Sequence, residues 1–131
     1  MKQTAWADLP NAKHIDRILA DLKRNPDRWA ATRNATRDAA WSAARYDARA
    51  DARTAARDDA WNAAWNAARN AARNAARNAA ASGAILALIA YDDCAYLLDE
   101  KPEHVQMLAL LGNQVAILLY PACIALQKEI I

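Results

Sequence analysis

The sequence predicts an all-α protein, a compact bundle of about five to six helices in which alanine-rich helices pack on an apolar C-terminal helical hairpin. Residues 29–80 consist of thirteen consecutive four-residue units rich in Ala, which is the best helix former. No Gly or Pro interrupts these units. The whole chain has two Gly and no Phe, and it lacks the alternation of apolar and polar residues that is typical of half-buried strands.

The length of 131 residues fits a single domain, residues 1–131, which the composition divides into three parts. These parts are an N-terminal helix in 1–26, the alanine-rich repeat in 27–81 and an apolar helical core in 83–131. The first helix begins at Pro10, which suits a first turn, or after Asn11, which suits a cap. It ends at Asn25, because the residue before a proline, here Pro26, avoids the α-helical region.

Each unit of the repeat begins with Trp or Arg. These first positions are Trp29, Arg33, Arg37, Trp41, Arg45, Arg49, Arg53, Arg57, Trp61, Trp65, Arg69, Arg73 and Arg77. A four-residue repeat advances about 40° per unit around an α-helix, so the Arg/Trp stripe should wind around the axis. One helix of this length would run about 80 Å, which is too long for a domain of this size. We therefore expect a break within residues 46–51, or alternatively at Asp58 and Asp59, where an acid can cap a new helix.

The C-terminal part of the sequence indicates helices separated by Gly and Pro. Gly83 should end the repeat as a helix C-cap, and an apolar, central helix should follow over residues 84–98. Pro102 suits the first turn of the next helix. Gly112 should end that helix, and Asn113 should cap the last one.

The apolar run at residues 105–126 is long enough to raise the question of a membrane span. Polar residues and Pro121 interrupt it, so we expect a buried helical hairpin or a kinked helix and no membrane partner. Cys94 and Cys123 lie in apolar runs, which indicates two buried free thiols in a reducing compartment. The N-terminus has no apolar signal core, so we expect a cytoplasmic protein.

Four segments make the chain similar to a known group of proteins. They are LPNAKHIDRIL, the alanine-rich tetrads, ALIAYDDCAYLL and LLGNQVAILLYPACIAL, and YDDCAYLL is the most specific of them. The chain resembles a group of short alanine-rich proteins that occur mostly in phage genomes and sometimes in bacteria, and the resemblance spans nearly the whole sequence. It implies a phage-related origin and a setting inside the host cell. It assigns no catalytic residues.

Asp92 and Asp93 are charged residues within the most apolar predicted helix, so at least one of them should point toward protein. One interpretation is a buried ion pair with an Arg of the repeat, which fixes the helix register. The other is a polar pocket, with His14 as a further member, that binds a ligand or a metal. His14, Asp16 and His104 have no recognised ligand spacing, so we expect neither a metal nor a cofactor.

The best candidate for a binding surface is the last part of the repeat. It comprises Trp61, Trp65, Arg69, Arg73 and Arg77, and no acid lies between Asn62 and Asn78. Nine Arg and five Asp give residues 29–80 a net charge of +4 in a chain of net charge +2, which permits an anionic partner. Arg binds phosphate in a bidentate way, and Trp stacks on bases or fills interface hot spots. The alternative is that acids elsewhere in the fold pair with these Arg residues while the Trp residues fill the core.

We therefore expect a non-enzymatic, phage-type binding protein that inhibits or sequesters a host defence component, either a protein or a nucleotide signal. A nucleic acid is a less favoured partner. We also expect self-association, as a dimer or a higher oligomer, because Ala-rich helices bury little area per residue. Candidates for that interface are the Asn residues Asn62, Asn66, Asn70, Asn74 and Asn78. The alternatives are a structural protein assembled through Ala-rich helix packing and, less favoured, a small metal-dependent enzyme that uses His14, Asp92 and Asp93.

Overall fold

The computed structural model describes residues 4–127 and confirms the all-α fold class. Within those residues the chain forms eight α-helices, more than the five to six predicted because the repeat divides into several helices, together with one short 3-10 helix and no strand. The α-helices are α1 (Ala12–Arg24), α2 (Pro26–Ala30), α3 (Arg33–Thr36), α4 (Ala39–Thr54), α5 (Asp58–Ala71), α6 (Ala75–Ala90), α7 (Pro102–Leu110) and α8 (Gln114–Gln127). The 3-10 helix, Ala95–Asp99, lies between α6 and α7. The predicted ends of the domain, residues 1 and 131, lie outside the described residues.

Helix α6 is the centre of the fold. It contacts α1, α2, α3, α4, α5 and α8, and every one of its residues from Ala80 to Ile89 is buried. The central helix predicted over residues 84–98 therefore lies partly in α6. However, α6 already begins within the repeat, at Ala75, and it ends at Ala90. The rest of the predicted helix forms a turn followed by the 3-10 helix.

Gly83 does not end a helix as predicted, because it lies inside α6 and is buried. A Cβ atom added at this position would lie 2.6 Å from Cζ2 of Trp41. Only glycine therefore lets the indole on α4 approach the backbone of α6 so closely. A glycine inside a helix costs about 1 kcal/mol relative to Ala, and burial of the large Trp41 ring offsets this cost. The prediction was wrong because it considered the local preference of Gly and not this contact between helices.

The repeat breaks between α4 and α5, at the second of the two predicted positions, and α5 begins at Asp58. The turn before it is a Schellman motif. In this turn the N–H of Arg57 donates to the carbonyl of Ala52, and the N–H of Ala56 donates to that of Arg53, each at 2.9 Å. Ala56 adopts a left-handed conformation with φ of 60°, which favours glycine.

The first predicted position for the break, residues 46–51, is wrong because this segment lies inside α4. Its two acids bond to the C-terminal part of the chain. Asp47 accepts a hydrogen bond from Nε2 of Gln114 at 2.9 Å, and Asp51 accepts one from Oη of Tyr91 at 2.8 Å. These acids therefore connect an unbroken α4 to distant segments, and neither of them caps a new helix.

Three further breaks in the repeat, before α3, α4 and α6, were not predicted, and side chains cap the last two of these helices. Oδ1 of Asp38 accepts a hydrogen bond from the N–H of Ala40 at 2.8 Å and caps α4. Oδ1 of Asn74 accepts one from the N–H of Ala76 at 2.8 Å and caps α6 in the same way. Both caps occupy the second position of a repeat unit, so the repeat supplies its own helix starts.

The breaks divide the repeat into short helices, so the Arg/Trp stripe does not wind around one long helix as expected. In most units the fourth position stays buried. The buried residues at the fourth unit position are Thr32, Thr36, Ala44, Ala48, Ala52, Ala60, Ala64, Ala68, Ala72 and Ala80. The remaining three, Ala40, Ala56 and Ala76, lie at the start of a helix or in the turn before α5. Over three successive units of one helix, the fourth position moves by only about 80° around the helix axis, which fits within an apolar stripe about 100° wide. Each break then starts a new helix, in which the fourth position again begins on the buried side; this angular position is called the phase of the helix.

The C-terminal apolar run forms the predicted helical hairpin of α7 and α8, but it is not buried throughout, because Val105 is the only buried residue of α7. Gly112, with φ of 90°, ends α7 in a second Schellman motif. Asn113 caps α8, because its Oδ1 accepts a hydrogen bond from the N–H of Ala116 at 3.0 Å. Cys94 and Cys123 are both buried and free. None of the helices in residues 4–127 has the length and hydropathy that a membrane span requires.

Candidate functional site

Trp61 and Trp65 both lie on α5, but their surroundings differ. Trp61 is buried in the core and is not accessible to a partner. Trp65 is half-buried, and the guanidinium carbon of Arg69 lies 4.7 Å from the centre of its ring. This cation–π contact orients the guanidinium and restricts its rotamers. The predicted surface therefore retains Trp65 and Arg69, whereas Trp61 fills the core.

Arg69 also lines a cleft of about 510 Å³ at the end of α5. This arginine cleft is lined by Asn66, Arg69, Asn70 and Arg73. The first three belong to the C-terminal part of α5, and Arg73 belongs to the turn between α5 and α6. All four residues are exposed, and each side chain carries N–H groups that can donate hydrogen bonds.

The turn between α5 and α6 positions Arg73. Helix α5 ends because Ala72 is extended, and Nδ2 of Asn78 donates a hydrogen bond to the carbonyl of Ala72 at 2.8 Å. Asn74 then caps α6. Two members of the Asn series thus shape this turn, while the other three are exposed on α5. The series therefore does not form one continuous face.

Arg69 and Arg73 have no carboxylate oxygen within 4.0 Å of their side-chain nitrogens in the described part of the chain. Arg77 differs, because its Nη2 pairs with Oδ1 of Asp27 in α2 at 3.1 Å. Arg77 therefore connects the start of α6 to α2 and does not line the cleft. The positive charge of the cleft comes from Arg69 and Arg73 alone.

Asp92 pairs with an Arg of the repeat, but it is not buried as expected. Nη1 of Arg57 lies 2.8 Å from Oδ1 of Asp92, whose side chain is 47% exposed. Asp93 is also exposed. The expected burial was wrong because α6 ends at Ala90, so both acids lie in a turn and not on the buried helix.

The ion pair of Arg57 belongs to a set of contacts that completes the end of α6. Nη1 of Arg57 also donates to the carbonyl of Ile89 at 2.6 Å. Nδ2 of Asn11 donates to the carbonyls of Leu88 at 2.9 Å and Tyr91 at 3.1 Å. These side chains satisfy carbonyls that a helix end leaves without partners. Their arrangement accounts for Arg57 and Asp92 as structural residues.

His14 does not join Asp92 and Asp93 in one pocket. It is half-buried on α1, where burial and the nearby charges of Lys13 and Arg17 lower its pKa. Across residues 4–127, no three His, Cys, Asp or Glu side chains lie close enough together to hold a metal ion. The structure therefore does not assemble the site considered for a small metal-dependent enzyme.

A buried carboxylate that sequence reasoning missed is Asp21 on α1. It accepts hydrogen bonds from Nε1 of Trp29 at 2.8 Å and from Nδ2 of Asn25 at 3.1 Å. Nη2 of Arg28 lies 3.4 Å from the same carboxylate. The available signal was its spacing, because Asp21 follows the buried Ile18 by three residues and so lies on the apolar face of α1.

Two exposed features were also missed. Tyr46 on α4 is 79% exposed. On α7, Met107, Leu110 and Leu111 at its C-terminal end are 59%, 81% and 78% exposed. Apolar residues on more than one face of a short helix cannot all be buried against one neighbour, which was the available signal.

Comparison of the chain with protein-family models, with curated proteins and with solved structures gives no match. The chemistry of the surfaces is therefore the basis for assigning a function. The arginine cleft offers positive charge and hydrogen-bond donors. Its lining contains Asn and Arg, and neither residue type commonly acts as a nucleophile or general base. The cleft suits the binding of an anion.

Proposed function

We propose that the protein is a non-enzymatic binding protein that captures a phosphate-bearing nucleotide in the arginine cleft. The observation that supports this proposal is the pair of Arg69 and Arg73, two guanidinium groups without a nearby carboxylate in residues 4–127, on a concave surface. A guanidinium donates two parallel hydrogen bonds to phosphate, and such charge-assisted bonds are roughly twice as strong as neutral ones.

The neighbouring residues suit the rest of a nucleotide. The amides of Asn66 and Asn70 offer both donors and acceptors, which match base or sugar groups. The contact of Arg69 with Trp65 orients the guanidinium before a ligand binds, which lowers the entropy lost on binding. A volume of about 510 Å³ is in the range of small-molecule sites. These features favour a small ligand over a protein segment.

The biological role follows from binding without conversion. A protein that binds a signalling nucleotide and does not react with it lowers the free concentration of that signal. The resemblance to short alanine-rich phage proteins supports a ligand that belongs to the defence of the host cell. The proposed role is therefore the sequestration of a host nucleotide signal.

The test is a binding assay with a matched control. Isothermal titration of the parent protein with nucleoside phosphates and cyclic dinucleotides should identify a ligand. The double variant Arg69→Gln/Arg73→Gln should then bind at least about 100-fold more weakly, because each charge-assisted hydrogen bond contributes about 1.5–3 kcal/mol. The control Arg33→Gln/Arg37→Gln removes the same charge from two exposed residues outside the cleft and should bind like the parent.

Two results would contradict the proposal. One is a parent protein that binds no member of the panel at millimolar concentration. The other is a cleft variant that binds as tightly as the control variant. All three proteins should remain folded with similar melting temperatures, because Arg69 and Arg73 are exposed and have no ion pair to lose within the described residues, and the lost contact of Arg69 with Trp65 costs at most about 1 kcal/mol.

A second candidate function, self-assembly or the binding of a protein partner, is favoured by the exposed apolar side chains of α7. Met107, Leu110 and Leu111 form the kind of surface that monomeric proteins seldom expose. The buried Ala residues of the repeat are used inside the chain, so assembly would involve α7. Sedimentation equilibrium tests this candidate: Leu110→Gln/Leu111→Gln should convert a dimer into a monomer, and a parent that stays monomeric at all concentrations excludes self-assembly.

A further inference from the structure

We propose that the outward face of α4 is a second binding site, for a single-stranded nucleic acid. This tyrosine face consists of Ser42, Arg45, Tyr46, Arg49, Ala50 and Arg53 and shares no residue with the arginine cleft. Two shallow hollows, of about 150 Å³ and 250 Å³, follow one another along the helix. Tyr46 and Arg49 line both of them. The inference is independent of the function proposed above.

The ring of Tyr46 is uncovered. It is 79% exposed, and its neighbours one helical turn away, Ser42 and Ala50, are both small. Trp65 on α5 differs, because its neighbour one turn later is Arg69, whose guanidinium lies over the indole. An open aromatic ring at the surface is a platform on which a nucleic-acid base stacks.

The positive charges of the tyrosine face form a line. Arg45, Arg49 and Arg53 recur at intervals of four residues, which is about 6 Å along the helix axis. In the described residues, only Arg53 has a carboxylate within 4.0 Å, and its Nε lies 3.8 Å from Oδ1 of Asp58. Burial and the charge of Arg49 lower the pKa of Arg45, so an anion bound beside both would relieve their repulsion. A row of cations beside an open ring suits a chain of phosphates.

The acids of α4 point away from this line. Tyr46, Arg49 and Arg53 lie within an arc of about 60° around the helix axis. Asp47 and Asp51 lie about 100° and 140° from Tyr46 in the opposite direction. Hydrogen bonds to Gln114 and Tyr91 hold these two carboxylates toward the C-terminal part of the chain. The helix therefore turns Asp47 and Asp51 away from Arg49, while the guanidinium carbon of Arg45 lies 5.6 Å from the centre of the Trp41 ring and Arg53 has Asp58 nearby.

The open ring favours a single strand over other polyanions. An acidic protein segment supplies carboxylates for the Arg residues but no bases for the ring. A duplex keeps its bases stacked inside the double helix, where an exposed side chain on a convex helix cannot reach their faces. A single strand presents phosphates in series together with unpaired bases, which is the combination that the tyrosine face matches.

Fluorescence anisotropy with a labelled oligo-dT of about 12 nucleotides tests the proposal at low and high salt. We expect Tyr46→Ala to weaken binding about 10-fold or more and Tyr46→Phe to bind like the parent, because stacking needs the ring and not the hydroxyl. Arg49→Gln/Arg53→Gln should also weaken binding. The slope of the logarithm of the binding constant against the logarithm of the salt concentration should become less steep by about 0.7 for each phosphate that the variant no longer neutralises. The matched control Arg33→Gln/Arg37→Gln, which removes the same charge from exposed residues outside both sites, should bind the oligonucleotide like the parent.

Several outcomes would overturn this site. The first is a parent protein that does not bind the oligonucleotide at low salt. The second is a Tyr46→Ala variant with parental affinity, or an Arg33→Gln/Arg37→Gln control that loses as much affinity as Arg49→Gln/Arg53→Gln. The third is competition by polyglutamate, or binding of the corresponding duplex, as strong as that of the single strand. That last result would assign the face to acidic proteins or to duplexes instead.

Discussion

The repeat and the C-terminal part of the chain fill the core in different ways. In α4 and α5 the buried residues are Ala, apart from Trp41 and Trp61. In α8 and the second half of α6, the buried residues include many Leu and Ile. Small side chains let helix backbones approach closely, whereas large ones fill volume and bury more apolar area per residue. The stability of the repeat therefore depends on the close approach of helix backbones, and that of the C-terminal part depends on the apolar area that large side chains bury.

The turns of the two regions also differ in the residues that form them. The C-terminal turns use residues specialised for turns, such as Pro102 at the start of α7 and Gly112 at its end. The repeat makes its breaks from its own residues, with Asp38 and Asn74 as caps and Ala56 in a conformation suited to glycine. This difference shows that a regular repeat can form helix breaks from its own residues, provided that each break returns the fourth unit position to the buried side of the next helix.

The largest expected effect contrasts the two modes of burial. Leu118→Ala on α8 should lower the free energy of unfolding by about 2–5 kcal/mol, because it leaves a cavity at a fully buried position. Ala64→Gly at a buried position of α5 should cost less, about 1.5–2 kcal/mol, which is the sum of the difference in helix propensity and the lost burial of one methyl group. Urea denaturation measures both values. Equal losses in the two variants would refute the contrast.

The next effect tests the close approach of α4 and α6. Gly83→Ala should destabilise the protein by about 1–3 kcal/mol, because the added Cβ would lie 2.6 Å from the Trp41 ring. The neighbouring change Ser82→Ala is the control. The Ser82 hydroxyl is buried and has no hydrogen-bond partner among the described residues, so its removal should be neutral or stabilising. A higher melting temperature for Gly83→Ala would mean that the two helices do not pack this closely.

A smaller effect tests the caps that the repeat supplies. Asn74→Ala should lower stability by about 1 kcal/mol, because the N–H of Ala76 loses its acceptor. Asn62→Ala changes the same residue type on the exposed surface of α5 and should leave stability unchanged or slightly higher. Thermal unfolding distinguishes the two variants. If both melt alike, the side chain of Asn74 does not cap α6.

The smallest effect compares the two Schellman turns directly. Ala56→Gly should stabilise the protein by about 0.5–1 kcal/mol, because glycine adopts positive φ without the strain of a Cβ atom. Gly112→Ala, at the corresponding position after α7, should destabilise it by a similar amount. Chemical denaturation of both variants measures the pair. A destabilising Ala56→Gly would show that φ at residue 56 is not positive in solution.

The sequence predicted those parts of the fold that depend on local chemistry. The all-α class and the turn at Gly112 and Asn113 follow from propensity and capping rules. Helix α5 starts at the predicted Asp58, but neither Asp58 nor Asp59 caps it, because the N-cap residue is Arg57 and makes no side-chain cap. Gly83 was misjudged because its role depends on an indole more than forty residues earlier in the chain. The uninterrupted α4 was missed because Asp51 and Asp47 bond to Tyr91 and Gln114, which are distant in the sequence.

The candidate sites were predictable only where the charged neighbours of an Arg residue in the fold are also its neighbours in the sequence. Arg69 and Arg73 were singled out because the surrounding repeat units contain no acid, and no acid from elsewhere in the described residues approaches them. Arg77 shares that local setting, yet it pairs with Asp27, fifty positions away in the chain. The tyrosine face could not be identified before the packing of α4 was known, because burial of Ala44, Ala48 and Ala52 sets which side of that helix faces outward.

The burial of a single position in each repeat unit has a consequence for how the gene can change. Gain or loss of four codons, as replication slippage in a repetitive stretch produces, would lengthen or shorten one helix by about 6 Å. Within that helix, the buried Ala residues downstream of the change would shift by only about 40° around the axis. Because the next cap restarts the phase, such an event would alter the length of one helix and leave the phase of the following helix unchanged. Helix length and the number of outward Arg residues can therefore vary between lineages without rebuilding the core.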